Sequence, residues 1–434
     1  MVRKQALCAL IVLIIIASLL IPANIPLAAN PTGVLTPKQI IALTQPGVTY
    51  IQTIIEGHVM APNALFDENF SFWEDPEGGF WEEYAQTGVS GSGFIVTPEG
   101  YIVTNAHVVK FTEDFKKFMI LKTVVEKEIE LQTENGWIAE SEVSAFSNGF
   151  FQFLFQHAQI KNVPIKVYAS LGKSIPGIAI IQEGLQAEIK KVGDPSGTGT
   201  GKDIAILKVE SSVALPTVKL GDSSKMAAGE KIYCIGYPGV ATFHPYLKGE
   251  SATVSTVTTG IISAVKQMPG GWSVLQTDAA IYHGNSGGPA FNEEGEAIGI
   301  STFGTIDYNT GQTIEGFNFL VPINLVEDYL NELGATPHQG QLDERYETAL
   351  NYMWNSYYSK ALDEFTIVNQ MYPAHPYTSE FIQLCRTEID AGHDKKDVPV
   401  LWIIIGLIVV SAALVTFILM RRKKGSIKND GKKA

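Results

Sequence analysis

Apolar positions fall into three patterns along the chain, and each predicts a different kind of element. At the N-terminus Arg3-Lys4 precede a nearly unbroken apolar run from Ala6 to Ile21, with small residues following at Ala28-Ala29. That is the layout of a secretory signal peptide, predicted over 1–29 with cleavage near Ala29. The run is long enough that an uncleaved anchor stays open. At the C-terminus Val398 to Met420 carries no charge. At about 1.5 Å per residue it spans a hydrocarbon core of roughly 30 Å. A core helix of that length would show polar positions on one face. Between the ends the runs are short and cut by Gly, Pro and Asp. They include Val48 to Met60, Gly93 to Val96, Tyr101 to Val103, Ile204 to Val209, Lys231 to Ile235, Gly260 to Val265, Ala297 to Ile300 and Phe317 to Val321. Many short strands at such spacing predict an all-β barrel or sandwich. Asn324 to Leu333 reads as a short amphipathic helix closing that unit. After a Pro-containing link, Gly334 to Gly340, the pattern from 341 to 390 turns helical.

Charge adds an orientation. Arg421-Arg422-Lys423-Lys424 follow the second apolar run directly, so residues 421–434 form a basic tail predicted to be cytoplasmic. Residues 30–397 are then expected outside the cytoplasm. The chain has a net charge of −13, and the acidic excess is concentrated in that outer part. This argues against nucleic-acid binding. Of three cysteines, Cys8 lies within the first apolar run, which leaves Cys234 and Cys385. Two buried thiols, rather than a disulfide framework, are expected. No CxxC and no HExxH occurs, so neither a metal nor another cofactor is expected. Gly193 to Lys202 superficially looks like a phosphate loop. Ser196 stands where Walker A needs Gly, and Asp203 where it needs Ser or Thr.

Candidates for acyl-transfer chemistry occur in order. Ser286 lies in Gly284-Asn285-Ser286-Gly287-Gly288-Pro289, where flanking glycines allow a sharp turn that exposes a hydroxyl. The same turn lets the N–H groups of Gly284 and Ser286 aim at one spot, as an oxyanion hole requires. Taken alone, the pattern also fits a Gly-rich hairpin turn. His107, in Thr104 to Val109, follows a predicted strand; a lone histidine there is equally a satisfied core residue. Asp203 heads the apolar run Ile204 to Val209. A half-buried acid at that position is costly unless paired, and a histidine ring N–H is a suitable partner.

Together these segments resemble the trypsin-like serine proteases of the HtrA/Deg group. The matching pieces are GSGFIV at 91–96, TNAHVV at 104–109, DIAILKV at 203–209, IGYPG at 235–239, GIIS at 260–263, QTDAAI at 276–281, GNSGGP at 284–289 and GEAIGIST at 295–302. The resemblance implies two six-stranded β-barrels with a catalytic cleft between them, His107 and Asp203 coming from the first and Ser286 from the second. By alignment to that family, Ala280 should floor the primary substrate pocket, with Phe303 and Gly304 on its wall. Cleavage after small or medium apolar residues is then expected, and cleavage after Lys or Arg is not. GNSGG also fits the nucleophile elbow of α/β-hydrolases. That fold orders its residues Ser, acid, His, whereas this chain runs His107, Asp203, Ser286.

The chain also departs from the family. His107 and Asp203 are widely separated, and residues 110–164 look inserted. They contain a charged helical stretch (Phe115 to Gln132) and an aromatic run at Phe150, Phe151, Phe153 and Phe155. This insertion reads either as a satellite packed on the barrel or as a gate or partner-binding element. No room remains for the PDZ domain the family often carries. Instead Ala349, Tyr352, Ala361, Phe365 and Pro373 match positions of one tetratricopeptide (TPR-like) unit over 341–392, with Pro376 to Ala391 as its closing helix. That unit reads as a helical spacer or as a docking element. Aromatics in 63–87 loosely resemble the family's trimerising segment, so a homotrimer is one expectation and a mobile acidic loop the other. The expected architecture is thus mainly β: a chymotrypsin-like double β-barrel over 30–335, a small α-helical hairpin unit, and one transmembrane helix at 398–420. The expected activity is a membrane-anchored, extracytoplasmic serine endopeptidase acting on unfolded or damaged polypeptides. The alternative is a latent or inactive protease-fold scaffold that binds partners through its helical unit.

Overall fold

The computed structural model describes residues 35–162, 164–172, 180–195, 201–239, 254–306, 313–396, 408 and 410–417. The chain opens with helix α1 (Pro37–Thr44), capped by Thr36. It then enters β1 (Val48–Pro62), which pairs over its full length with β4 (Phe80–Ile95). Strand β1 is rich in β-branched residues. It is buried on both faces for most of its length, because one half lines a barrel and the other lies under helices. The first barrel continues from β4 through β5 (Tyr101–Thr104), β9 (Ala205–Val209), β8 (Leu185–Val192) and β7 (Lys166–Leu171) back to β1. A short β6 (Gln159–Asn162) adds to the outer end of β1, pairing with Gly57 to Met60.

The second barrel closes in the order β10 (Lys231–Gly236), β11 (Thr256–Gln267), β12 (Ser273–Thr277), β15 (Thr313–Pro322), β14 (Ala297–Ile306) and β13 (Pro289–Phe291). The two six-stranded barrels share one apolar core. Val48, Tyr50 and Phe94 of the first pack with Tyr233, Ile235 and Phe291 of the second. Tyr50 and Tyr237 meet edge to face at 5.8 Å. Closure leaves few free strand edges and fixes the seam between the barrels, where the candidate residues lie.

The insertion is helical. A one-turn α2 (Ala106–Val109) is followed by α3 (Glu113–Glu134), whose N-terminus is capped by Thr112 and carries Glu113 and Asp114 in its first turn. Helix α4 (Val143–His157) packs back against it. Both helices cover the outer half of the β1–β4 hairpin and build a second core around Val59, Ile120, Val124, Phe146, Phe150 and Leu154. The 63–87 segment is not a loose loop. It carries a small hairpin, β2 (Ala64–Phe66) and β3 (Phe72–Glu74), whose Phe66, Phe70 and Phe72 all contact the Phe146 ring.

After the short α5 (Ile180–Glu183), the remaining helices follow the barrels. Helix α6 (Asn324–Asn331) buries Val326 and Leu330 against the shared core. Beyond it, α7 (Gln341–Trp354), α8 (Tyr358–Met371) and α9 (Thr378–Asp390) form a three-helix unit. Ala349, Ala361 and Phe365 are fully buried between its helices, while Tyr352 is half-buried. The unit is docked on the rest of the molecule. Asp343 accepts hydrogen bonds from the Thr217 N–H (2.8 Å) and hydroxyl (2.7 Å), and the Tyr346 hydroxyl donates to Ala42 O of α1 (2.9 Å). Cys234 and Cys385 are buried free thiols. Among the described residues no helix is long and apolar enough to cross a membrane. The expected span at 398–420 falls mostly outside them, residues 408 and 410–417 being helical. The expected signal segment and basic tail lie wholly outside.

Candidate active site

His107 sits in the single turn of α2 that follows β5. Its backbone is fixed before its ring is used. The His107 N–H donates to Asp203 Oδ1 (3.0 Å), and Asn105 Nδ2 donates to the Asp203 carbonyl (2.7 Å). Thr53 holds the next carbonyl, that of Val108, at 2.7 Å. Across this frame His107 Nδ1 lies 2.7 Å from Asp203 Oδ2. An ionised carboxylate only accepts, so Nδ1 carries the proton and Nε2 is left as the basic nitrogen.

Asp203 precedes β9, with Ile204 and Ala205 fully buried behind it. Burial works to raise its carboxyl. The hydrogen bond and charge of His107, the Thr302 hydroxyl and the His107 N–H outweigh burial and hold it below the usual carboxylate range. The Thr302 hydroxyl donates to Oδ2 at 2.6 Å. The carboxylate therefore stays charged and oriented at neutral pH.

Ser286 lies in the turn before β13, and that turn is held to the first barrel. Ser92 N–H donates to Ser286 O (2.8 Å), while the Ser92 hydroxyl donates to Gly284 O (2.7 Å) and accepts from Tyr237 N–H (2.9 Å). Glycine is required where the turn is tightest. Gly284 and Gly287 have φ of 101° and 88°. A Cβ on Gly287 would stand 2.1 Å from Ser92 O. The N–H groups of Gly284 and Ser286 donate to no described residue. The Ser286 hydroxyl is not bonded to His107. It donates to Thr302 O at 3.1 Å.

The expected pocket residues belong to the same barrel. Ala280 is half-buried between β12 and the Ser286 turn, and its carbonyl accepts from the Thr258 hydroxyl at 2.9 Å. Phe303 and Gly304 lie on β14 where its register with β15 shifts, Gly304 pairing with Asn318. Asn318 Nδ2 reaches back to Ala279 O at 2.8 Å, which ties that stretch to the Ala280 segment. Among the described residues no group of His, Cys, Asp or Glu could hold a metal ion. Thr302, Asn105 and Ser92 are the supporting residues that reading the sequence did not single out. Each stands in or beside a segment quoted above, but its partner is distant along the chain.

Comparison with known proteins bears on the double barrel. Residues 91–300 match the trypsin-like peptidase domain family, a span that contains His107, Asp203 and Ser286. The serine endoprotease DegS of Salmonella typhimurium is 35% identical over 160 residues, 36% of this chain and 40% of that protein. The serine protease Do-like HtrA of Lactobacillus helveticus is 36% identical over 159 residues, 36% of this chain and 35% of that protein. A probable periplasmic DegP-like endoprotease of Rhizobium meliloti is 28% identical over 264 residues, 60% of this chain and 36% of that protein. The chain spans two-fifths or less of the length of these relatives. The double barrel is accordingly similar to the trypsin-like domain of HtrA- and DegS-type serine endoproteases.

Proposed function

We propose that this chain is a serine endopeptidase in which Ser286 is the nucleophile, His107 the general base and acid, and Asp203 the carboxylate that orients it. The observation carrying this reading is the His107–Asp203 pair, whose two hydrogen bonds engage the His107 N–H and Nδ1 and leave Nε2 as the basic nitrogen. On substrate binding, the Ser286 hydroxyl turns from Thr302 O toward His107 Nε2. As Oγ attacks the scissile carbonyl, Nε2 takes its proton, and Asp203 stabilises the imidazolium. The N–H groups of Gly284 and Ser286 hold the oxyanion. His107 then protonates the leaving amine, and water repeats the sequence on the acyl-enzyme. The pocket at Ala280, Phe303 and Gly304 takes small or medium apolar side chains.

The setting is part of the proposal. The uncharged run at 398–420 and the basic residues after it support a single-pass anchor with the protease outside the cytoplasm. The relatives named periplasmic support the same side. Unfolded or damaged polypeptides are the proposed substrates, and a homotrimer the proposed assembly. The helical unit at 341–392, TPR-like in its small and large positions, remains a candidate partner-docking element. One observation favours a second reading, a latent scaffold: the Ser286 hydroxyl is turned onto Thr302 O. Degradation of unfolded casein by the full chain and by Ser286→Ala separates the two. The active-enzyme reading expects cleavage by the wild type and a loss of about 10⁴-fold or more in the variant. Equal cleavage by both would remove the assignment, and cleavage by neither would favour the scaffold.

A further inference from the structure

The insertion carries a feature that its packing role does not need. Helices α3 and α4 bury Ile120, Leu121, Val124, Phe146, Phe150 and Leu154 beneath them. Three phenylalanines of these helices, Phe115, Phe118 and Phe155, stand outside that core, beside Phe111 and Phe151, which pack partly into it. Phe111 and Phe115 stack at 5.3 Å, Phe118 meets Phe151 at 5.4 Å, and Phe151 stacks on Phe155 at 6.0 Å. Phe115, Phe118 and Phe155 are 39%, 43% and 44% exposed. Exposed aromatic rings grouped in this way mark an interaction surface rather than scattered exposure.

Its position identifies the occupant. Phe111 follows His107 by four residues, so at up to ~3.6 Å per residue its backbone lies within about 14 Å of the histidine. Lys110 between them is tied to the barrel through Gly193 O at 3.1 Å. An extended peptide leaving the cleft covers that distance in about four residues. Charge speaks against a bilayer. A surface that lies on lipid is rimmed by free Lys and Arg. Here Glu113 and Asp114 open α3, Lys116 is paired with Glu113 at 2.7 Å, and Lys117 is bonded to Phe155 O and lies over its ring. Acidic residues at the rim repel an anionic lipid surface.

We propose that this aromatic face docks apolar segments of the polypeptide being cleaved, a few residues from the scissile bond, and so selects for unfolded chains. The proposal rests on the serine endopeptidase reading for its setting, and its test is separable from it. In the full chain, Phe115→Ser/Phe118→Ser/Phe155→Ser raises KM for unfolded casein roughly tenfold, the size expected from losing about one buried aromatic contact. Its kcat stays unchanged, as does kcat/KM for a peptide of only a few residues around the scissile bond. An unchanged KM for casein overturns the proposal, and so does an equal loss on the short peptide. Docking is also read without cleavage. In a Ser286→Ala background, the triple change weakens binding of fluorescent unfolded casein by the same factor, and unaltered binding overturns the proposal. Failure of the wild type to cleave the short peptide is the separate failure of the protease reading. Finally, a photo-crosslinking phenylalanine derivative at position 118 is placed in the full Ser286→Ala chain, in phosphatidylethanolamine–phosphatidylglycerol vesicles. Adducts with added casein support the proposal, and adducts confined to lipid overturn it.

Discussion

Thr302 meets the candidate chemistry from two sides. Its hydroxyl donates to Asp203 Oδ2, and its carbonyl accepts the Ser286 hydroxyl. A hydrogen bond to a charged group contributes about 1.5–3 kcal/mol. Thr302→Val is therefore expected to lower kcat/KM by roughly 10- to 100-fold and to shift the pH–rate profile, with Thr302→Ser restoring both; kinetics across pH on a short peptide check this. A purely structural residue would lose stability without moving the profile. Reading the sequence singles out His107, Asp203 and Ser286 as candidates because each stands in a short local pattern, glycines around the serine or an acid at the head of an apolar strand. Thr302 has no such pattern. Its role exists only because closing two barrels brings it to a carboxylate 99 residues away.

Among elements, those with strong local periodicity were legible and their contacts were not. The charged stretch expected as a helix from Phe115 to Gln132 is α3, longer by two residues at each end. The aromatic run divides by helical phase. Phe150 and Phe153 are buried, Phe155 points outward, and Phe151 lies half-buried between them. The hairpin within 63–87 could not be foreseen, because what orders it is Phe146, some eighty residues on. The link between α8 and α9 offers a pH test. His375 is buried against the Tyr346 ring at 4.7 Å, and its Nε2 has no partner among the described residues. Burial pulls its pKa down to about 3. A folded pKa below the ordinary value of 6.5 gives stability that is present above about pH 6.5 and lost as pH falls toward 3. The midpoint of thermal unfolding should thus drop between pH 7.5 and 5.0 more steeply in the wild type than in His375→Gln; melting curves at the two pH values check this.

At the scale of the molecule, the three-helix unit behaves as part of the body formed by the barrels. Asp343 is half-buried at its first turn and joined to Thr217, and Tyr346 is joined to α1. A chain ending at residue 335 would expose Ala42 and Leu43, which the unit now packs, and would lose Tyr372, which packs on the first-barrel core. Removing it is expected to lower the melting midpoint by roughly 5 °C or more, since about 1 kcal/mol corresponds to about 2–4 °C at this size. A spacer with no contact to the barrels would leave the midpoint unchanged, and calorimetry distinguishes the two. Ala349, Ala361 and Phe365, matched in the sequence to small and large repeat positions, are buried within the unit. Docking leaves no such mark, because the contacts that achieve it are a threonine, a backbone carbonyl and a tyrosine hydroxyl, none of which stands out in a sequence.

Strand β14 continues from Thr302 directly into Phe303 and Gly304, where its pairing with β15 shifts register. The residue that bonds both Asp203 and the Ser286 hydroxyl is thus covalently next to the residues proposed to feel the substrate's side chain. The strand acts as a single rail: sliding it to admit a different side chain also moves the carbonyl and hydroxyl of Thr302. Preference and turnover are then geared together, and a substitution that widens the pocket from this side brings a change of rate with it.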